Sequence, residues 1–185
     1  MKTGFIAYLH WLALSDDINP DMEGMALEQK VIFGEKKDGI SYTNRPSVYA
    51  VIMKRDVDAV AVVKTPIGYF LPGGGVENDE SHEECLLREC LEELGSRVSV
   101  WDYIGRVGQY YYSKLQDEYL ISDGYFYFAT IEKTLHATLE EDHELIWVMK
   151  NEVSTRMSSE QQIWAVRIAF QIANNIRGDS KNGES

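Results

Sequence analysis

Cysteine is almost absent from this chain. Its 185 residues hold two, Cys85 and Cys90, five apart in a stretch that reads as one helix. Five helical steps place their backbones about 7 to 8 Å apart with the side chains pointing in different directions, beyond ordinary disulfide reach. A disulfide-stapled scaffold is therefore disfavoured, and reduced thiols in a cytoplasmic setting are expected. Positive charge is also short: 18 Lys and Arg face 30 Asp and Glu, a formal net charge of −12. Such a surface repels polyanions, which argues against bulk nucleic-acid binding. A substrate carrying phosphates would need cations to offset that field. Long hydrophobic runs are missing as well. The apolar stretch Gly4 to Leu14 is too short to span a bilayer and carries His10 in its middle, so no transmembrane helix and no membrane partner are expected. Lys2 before that run and Ser15 after it faintly resemble a secretory signal, but the cleavage pattern is poor. No internal repeat or low-complexity tract is visible.

What remains is an ordinary globular composition, 44% hydrophobic and 26% charged, in a length suited to one domain. Residues 1–28 read as an amino-terminal extension, an apolar run followed by the turn-rich SDDINPDMEG, whose Asn19-Pro20 disfavours helix. The run could cover a sheet edge or form a homodimer contact. The domain proper is expected over 29–177, and the last eight residues, GDSKNGES, read as a disordered tail over 178–185. Within the domain, β-branched and aromatic runs at Ser47 to Met53 and Ala59 to Lys64, separated by KRDVD, predict a strand pair, with a short strand at Tyr69 to Leu71. Further strands are predicted at Val98 to Ile104, Gln109 to Tyr112, Gly124 to Ile131 and Glu144 to Met149. A helix from about Ser159 repeats Ile163, Trp164, Val166, Arg167, Phe170 and Ala173 at spacings that leave one apolar face. Strands flanked by helices predict an α/β/α sandwich around a mixed sheet.

The segment 71–96, LPGGGVENDESHEECLLRECLEELGS, carries the chemistry. Ser81 with Glu84 three residues on is a capping box, and Gly95 is a helix stop. At about 100° per residue, Glu89, Glu92 and Glu93 fall within about 100° of one another, with Leu87, Cys90, Leu91 and Leu94 on the opposite arc. Three carboxylates at these spacings repel one another by some tenths of a kcal/mol per pair, and a hard divalent cation with oxygen ligands would neutralise them. Arg88 on the flank could hold a carboxylate through its fork of donors. By themselves the glutamates would read as a solvated helix face.

The whole segment resembles the Nudix box: glycine, five residues, glutamate, seven residues, then arginine-glutamate-apolar-any-glutamate-glutamate-any-glycine-apolar. Those positions are Gly74, Glu80, Arg88, Glu89, Cys90, Glu92, Glu93, Gly95 and Ser96, and only Cys90 and Ser96 depart from the pattern. The resemblance implies the Nudix α/β/α sandwich. It also implies hydrolysis of the diphosphate linkage in a nucleoside diphosphate derivative, such as a nucleotide sugar, a dinucleoside polyphosphate or a modified nucleoside triphosphate, with Mg2+ or Mn2+. It places the Gly74 carbonyl, Glu89, Glu92 and Glu93 at the metal and pairs Glu80 with Arg88. The family often adds a carboxylate from a loop before a late tryptophan-bearing strand. Here Glu141, six residues before Trp147, is the expected group over Glu140 and Asp142. A non-catalytic nucleotide-binding module on this fold would be expected to lose box carboxylates, and this chain keeps all four. An isomerase reading lacks a catalytic cysteine outside the box helix.

Several other side chains read more simply. Tyr110, Tyr111, Tyr112, Tyr125 and Phe126 could include a base-stacking partner, although strand aromatics are more often core. His82 and His143 could be acid or base groups, although His82, in the first helical turn, reads more simply as solvated. Cys85 is explained by tight packing, and Trp147 and Trp164 by the core.

Overall fold

In the computed structural model, the protein is described over residues 31–54, 57–114, 116–135, 138 and 142–182, with side chains to residue 175. The expected extension over 1–28 lies outside the described residues, as do Glu140 and Glu141. Strand β1 is Ile32–Phe33, β2 Thr43–Ile52, β3 Ala59–Thr65, β4 Gly68–Phe70 and β5 Gly73–Gly75. Helix α1, His82–Leu94, follows, then β6 Ser96–Ser113, β7 Glu118–Thr134, β8 Glu144–Met149, α2 Val153–Arg156 and α3 Glu160–Asn182.

The strands form two sheets. One has five strands in the order β1-β6-β7-β2-β5, the other three in the order β4-β3-β8. The larger sheet is mixed, because β7 runs parallel to β2 but antiparallel to β6. Side chains alternate across each strand, and here both faces are covered. On β2, Val48, Ala50 and Ile52 pack with Cys85, Leu86, Cys90 and Leu94 of α1, whereas Val51 packs with Ala165, Val166, Ala169 and Phe170 of α3. The same division holds on β3, with Ala61 and Val63 on the α1 side and Val60 and Val62 on the α3 side. Burial on both faces is why AVAVV reads as a continuous apolar run rather than an alternation. Trp147 and Trp164 pack against these two cores as expected.

Several expectations are corrected. The strand pair at Ser47–Met53 and Ala59–Lys64 is divided between the sheets. Among the described residues, their backbones pair at a bridge between Met53 and Val60 and through Lys54 N–H donating to Ala59 O at 2.9 Å, while their side chains share both cores. The runs at 98–104 and 109–112 belong to one eighteen-residue strand, whose register shifts near Val100, Tyr103 and Gly105 break the alternation from which two strands were read. Helix α3 continues to Asn182, into the stretch expected as a tail. The apolar arc of α1 is also rotated: Leu87 is exposed and Leu91 only half-buried, while Cys85, Leu86, Cys90, Leu94 and Glu93 are buried.

Candidate active site

Helix α1 starts where the sequence places it. Ser81 accepts from Glu84 N–H, Glu84 accepts from Ser81 N–H at 2.8 Å, and Gly95 closes the helix in the left-handed region at φ 58°. The helix lies over β5, which pairs antiparallel with β2 (Val48 with Gly74, Tyr49 with Gly73). Close approach needs glycine here. A Cβ at Gly74 would collide with the Glu89 carboxylate, and one at Gly73, where φ is 133°, with the Val48 carbonyl.

The carboxylate face therefore points partly inward. Glu93 is 9% exposed; its Oε2 accepts from Gly73 N–H at 2.9 Å, and its Oε1 lies 3.6 Å from His143 Nδ1. Arg88 gathers the others. Its Nη2 and Nε donate to Glu80 at 2.6 and 3.1 Å, its Nη1 donates to Glu89 at 2.9 Å and to Glu92 at 3.3 Å, and its Nη2 reaches Gly75 O at 3.2 Å. Hydrogen bonding from Arg88 holds the Glu80 carboxyl down at about 2, well below the usual carboxylate range, and Glu80 in turn raises Arg88 above its ordinary value. Cys85 is fully buried, with Sγ 3.9 Å from Gly74 O and 3.7 Å from Gly75 O, and burial pushes its thiol up to about 12. It is a packing residue, as the sequence suggested.

Gly74, Glu80, Arg88, Glu89, Glu92 and Glu93 are thus brought together, and Gly95 ends the helix that carries them. Among the described residues, no three His, Cys, Asp or Glu side chains close on a single point. Their oxygens are turned toward Arg88, Gly73 and His143. The donor set is nonetheless all oxygen, which suits magnesium or manganese, and the bare Gly74 leaves backbone beside Glu89. Two histidines are placed in ways that the sequence did not give. His143, one of the candidate acid or base groups, approaches Glu93 from the turn before β8. His82 is packed rather than solvated, its Nδ1 2.8 Å from Tyr127 Oη and its ring tilted at 49° against Tyr125 with the centroids 4.3 Å apart.

On the α3 side of the larger sheet lies a cavity of about 220 Å³, lined in part by Tyr49, Tyr111, Gln109, Gln161 and Gln162. It was not foreseen, although Gln162 stands three and four residues before the inward-facing Ala165 and Val166, a polar residue on an apolar stripe.

Two sheets between helices, with an acidic helix laid over a glycine strand, define the class as a Nudix-type α/β/α sandwich. The NUDIX domain profile matches residues 43–167, and the chain belongs to that family. It is 46% identical over 66 residues to the Bacillus subtilis (strain 168) protein named "Putative 8-oxo-dGTP diphosphatase YtkD", a match covering 36% of this chain and 38% of that protein. It is 30% identical over 119 residues to Nudix hydrolase 4 of Arabidopsis thaliana, covering 64% of this chain and 54% of the other. These matches span about half or less of the relatives' lengths. A NUDIX hydrolase from Nitrosomonas europaea shares the fold with a TM-score of 0.57 at 16% identity, covering 70% of this chain and 90% of that one. No helix among the described residues is long and apolar enough to cross a membrane.

Proposed function

We propose that this protein is a metal-dependent pyrophosphohydrolase acting on a nucleoside diphosphate derivative. The observation that carries the reading is the Arg88 network, which holds Glu80, Glu89 and Glu92 on one side of α1 while Gly73 holds Glu93 beside them. In an enzyme such orientation of metal-binding carboxylates is worth having, whereas a solvated face needs none. Glu89, Glu92, Glu93 and the Gly74 carbonyl would hold Mg2+ or Mn2+. The bound metal supplies positive charge to the diphosphate oxygens and lowers the pKa of a water. Arg88 keeps Glu89 and Glu92 aimed, its charge balanced by Glu80. Glu141 is proposed as the general base or an additional ligand. What supports the choice is that His143, two residues on in sequence, lies 3.6 Å from Glu93.

The test is a panel of nucleotide sugars, dinucleoside polyphosphates and nucleoside triphosphates with phosphate-product detection, run in magnesium, in manganese and with chelator. Turnover should need the metal and collapse in Glu92→Gln and Glu93→Gln variants that still fold. Among Glu140, Glu141 and Asp142 changed singly to their amides, Glu141→Gln alone should lose roughly 10² to 10⁴ in turnover. Turnover in chelator, or wild-type rates in both helix variants, would refute the enzyme reading. Wild-type turnover in Glu141→Gln would remove only that residue from it.

A further inference from the structure

A groove of about 500 Å³ runs beside the outer face of α1. Leu87 and Leu91 of α1, Val98, Val100 and Trp101 of β6, and Leu135 after β7 give it an apolar lining, with Glu83 and Arg97 adding one charge of each sign. At about 100° per residue, Leu87 and Leu91 lie roughly 100° to 160° around the helix from Glu89, Glu92 and Glu93, so the groove is turned away from the carboxylates. Leu87 is 37% and Leu135 43% exposed, which leaves aliphatic surface facing water. One cation and one carboxylate are too few groups to hold a phosphate or a metal. The lining suits an apolar occupant.

Residues 97–101 of β6 all line the groove. A strand turns alternate side chains to opposite faces, so consecutive residues border one groove only along the strand's edge. That edge is open, because β6 lies between β7 and β1, and among the described residues β1 pairs with it only at Gly108 and Gln109. The described chain also begins beside it. Strand β1 is parallel to β6, with Ile32 opposite Gly108 and Gly108 N–H donating to Val31 O at 2.9 Å, so the upstream end at Val31 faces back along β6 toward the groove. From Gly108 to Val100 is roughly 26 Å of strand. Residues 15–30 can span up to roughly 50 Å when extended. Before them stands the apolar run Gly4 to Leu14, too short to cross a bilayer.

We propose that the run Gly4 to Leu14 of this same chain seats in the groove, its side chains against Leu87, Leu91 and Leu135. Apolar surface on both sides leaves water when the two meet, which is the driving force for the contact. A second copy could offer the same run. The tether of residues 15–30, however, presents the chain's own run at an effective concentration on the order of millimolar, well above that of a second copy at micromolar protein. The contact covers the domain without completing it, since α1 is already anchored from beneath by Cys85, Leu86, Cys90 and Leu94. A chain lacking the run would fold, keep its carboxylates in place and expose the groove. The inference stands apart from the proposed function, and its test does not read turnover.

The experiment is fluorine NMR of the full chain labelled with fluorotryptophan, recorded in light and in heavy water, which places one probe in the run at Trp11 and one in the groove at Trp101. Trp11→Phe and Trp101→Phe assign the two resonances. The Trp11 resonance should be insensitive to the change of solvent, as a covered side chain is. Leu87→Lys and Leu135→Lys, both at exposed positions that tolerate a charge, should make it solvent-sensitive. Leu12→Glu in the run should do the converse, raising the solvent sensitivity of Trp101 while Trp147 and Trp164 of the two cores stay unmoved. Light scattering should give the mass of one chain, and dilution should leave the spectrum unchanged. A solvent-sensitive Trp11 in wild type, or a protected Trp11 that neither groove variant moves, would overturn the proposal. Protection that accompanies the mass of two chains and is lost on dilution would give the groove to a second copy and overturn it equally.

Discussion

Glu80 and Arg88 form the tightest polar contact of the candidate site, two hydrogen bonds between one carboxylate and one guanidinium. The fork geometry explains why arginine stands at position 88. A lysine ammonium is a point charge and could not hold Glu80 with one edge while reaching Glu89 and Glu92 with another. The pair also sets a pH response. The Glu80 carboxyl titrates at about 2 in the folded chain, below the roughly 4.3 of a free glutamate. Because the folded value is depressed, the stabilisation is complete above about pH 4.3 and is lost as pH falls from there toward 2. Urea unfolding midpoints should therefore drop through that window in wild type and drop less in Glu80→Gln. Parallel curves for the two proteins would show that Glu80 adds nothing to acid stability.

At the scale of the element, α1 joins a conventional start and stop to an unconventional buried face. Its capping box is complete, and Ser81 is exposed and takes no part in the carboxylate network. Ser81→Ala should cost about 1 kcal/mol, read from urea denaturation, because it strips an acceptor from the first turn. Metal dependence should be unchanged. The inward face, by contrast, places Glu93 among Leu86, Cys90 and Leu94. A buried carboxylate persists there because the Gly73 N–H and His143 meet its two oxygens. The axis of helical periodicity was right and its phase was off. Leu87 and Leu91 look like core in sequence, yet they line an outer groove with Val98, Val100 and Trp101.

For the whole molecule, a charge of −12 with carboxylates gathered on one helix means that a site able to take cations and the global field act together. The family match runs over 43–167 and leaves the sequence before Val31 outside it. We expect residues 1 to about 24 to be dispensable. A chain beginning at Met25 should fold, by circular dichroism and thermal melting, and turn over at the rate of the full chain. Loss of folding in the shorter chain would assign the apolar run a structural place, and a changed mass by light scattering would assign it a role in self-association.

The box motif, the limits of α1 and most of the longer strands could be read from the sequence, because each rests on local spacing: a cap, a stop, a period of 3.6 or 2. The short β1, β5 and α2 could not, being too brief to show a period. The convergence of Arg88 on Glu80 was carried by the same motif. Tertiary structure alone decided the rest. The division of β2 and β3 between two sheets depends on which neighbours each strand finds, since both runs are apolar on both faces. His143 reaches Glu93 across fifty residues of chain, and Gln109, Gln161 and Gln162 meet around one cavity although nothing in their spacing links them. Local propensity acts over a few residues. Contacts between distant segments are set by packing two helices onto two sheets, and a single sequence read along its length carries no signal for them.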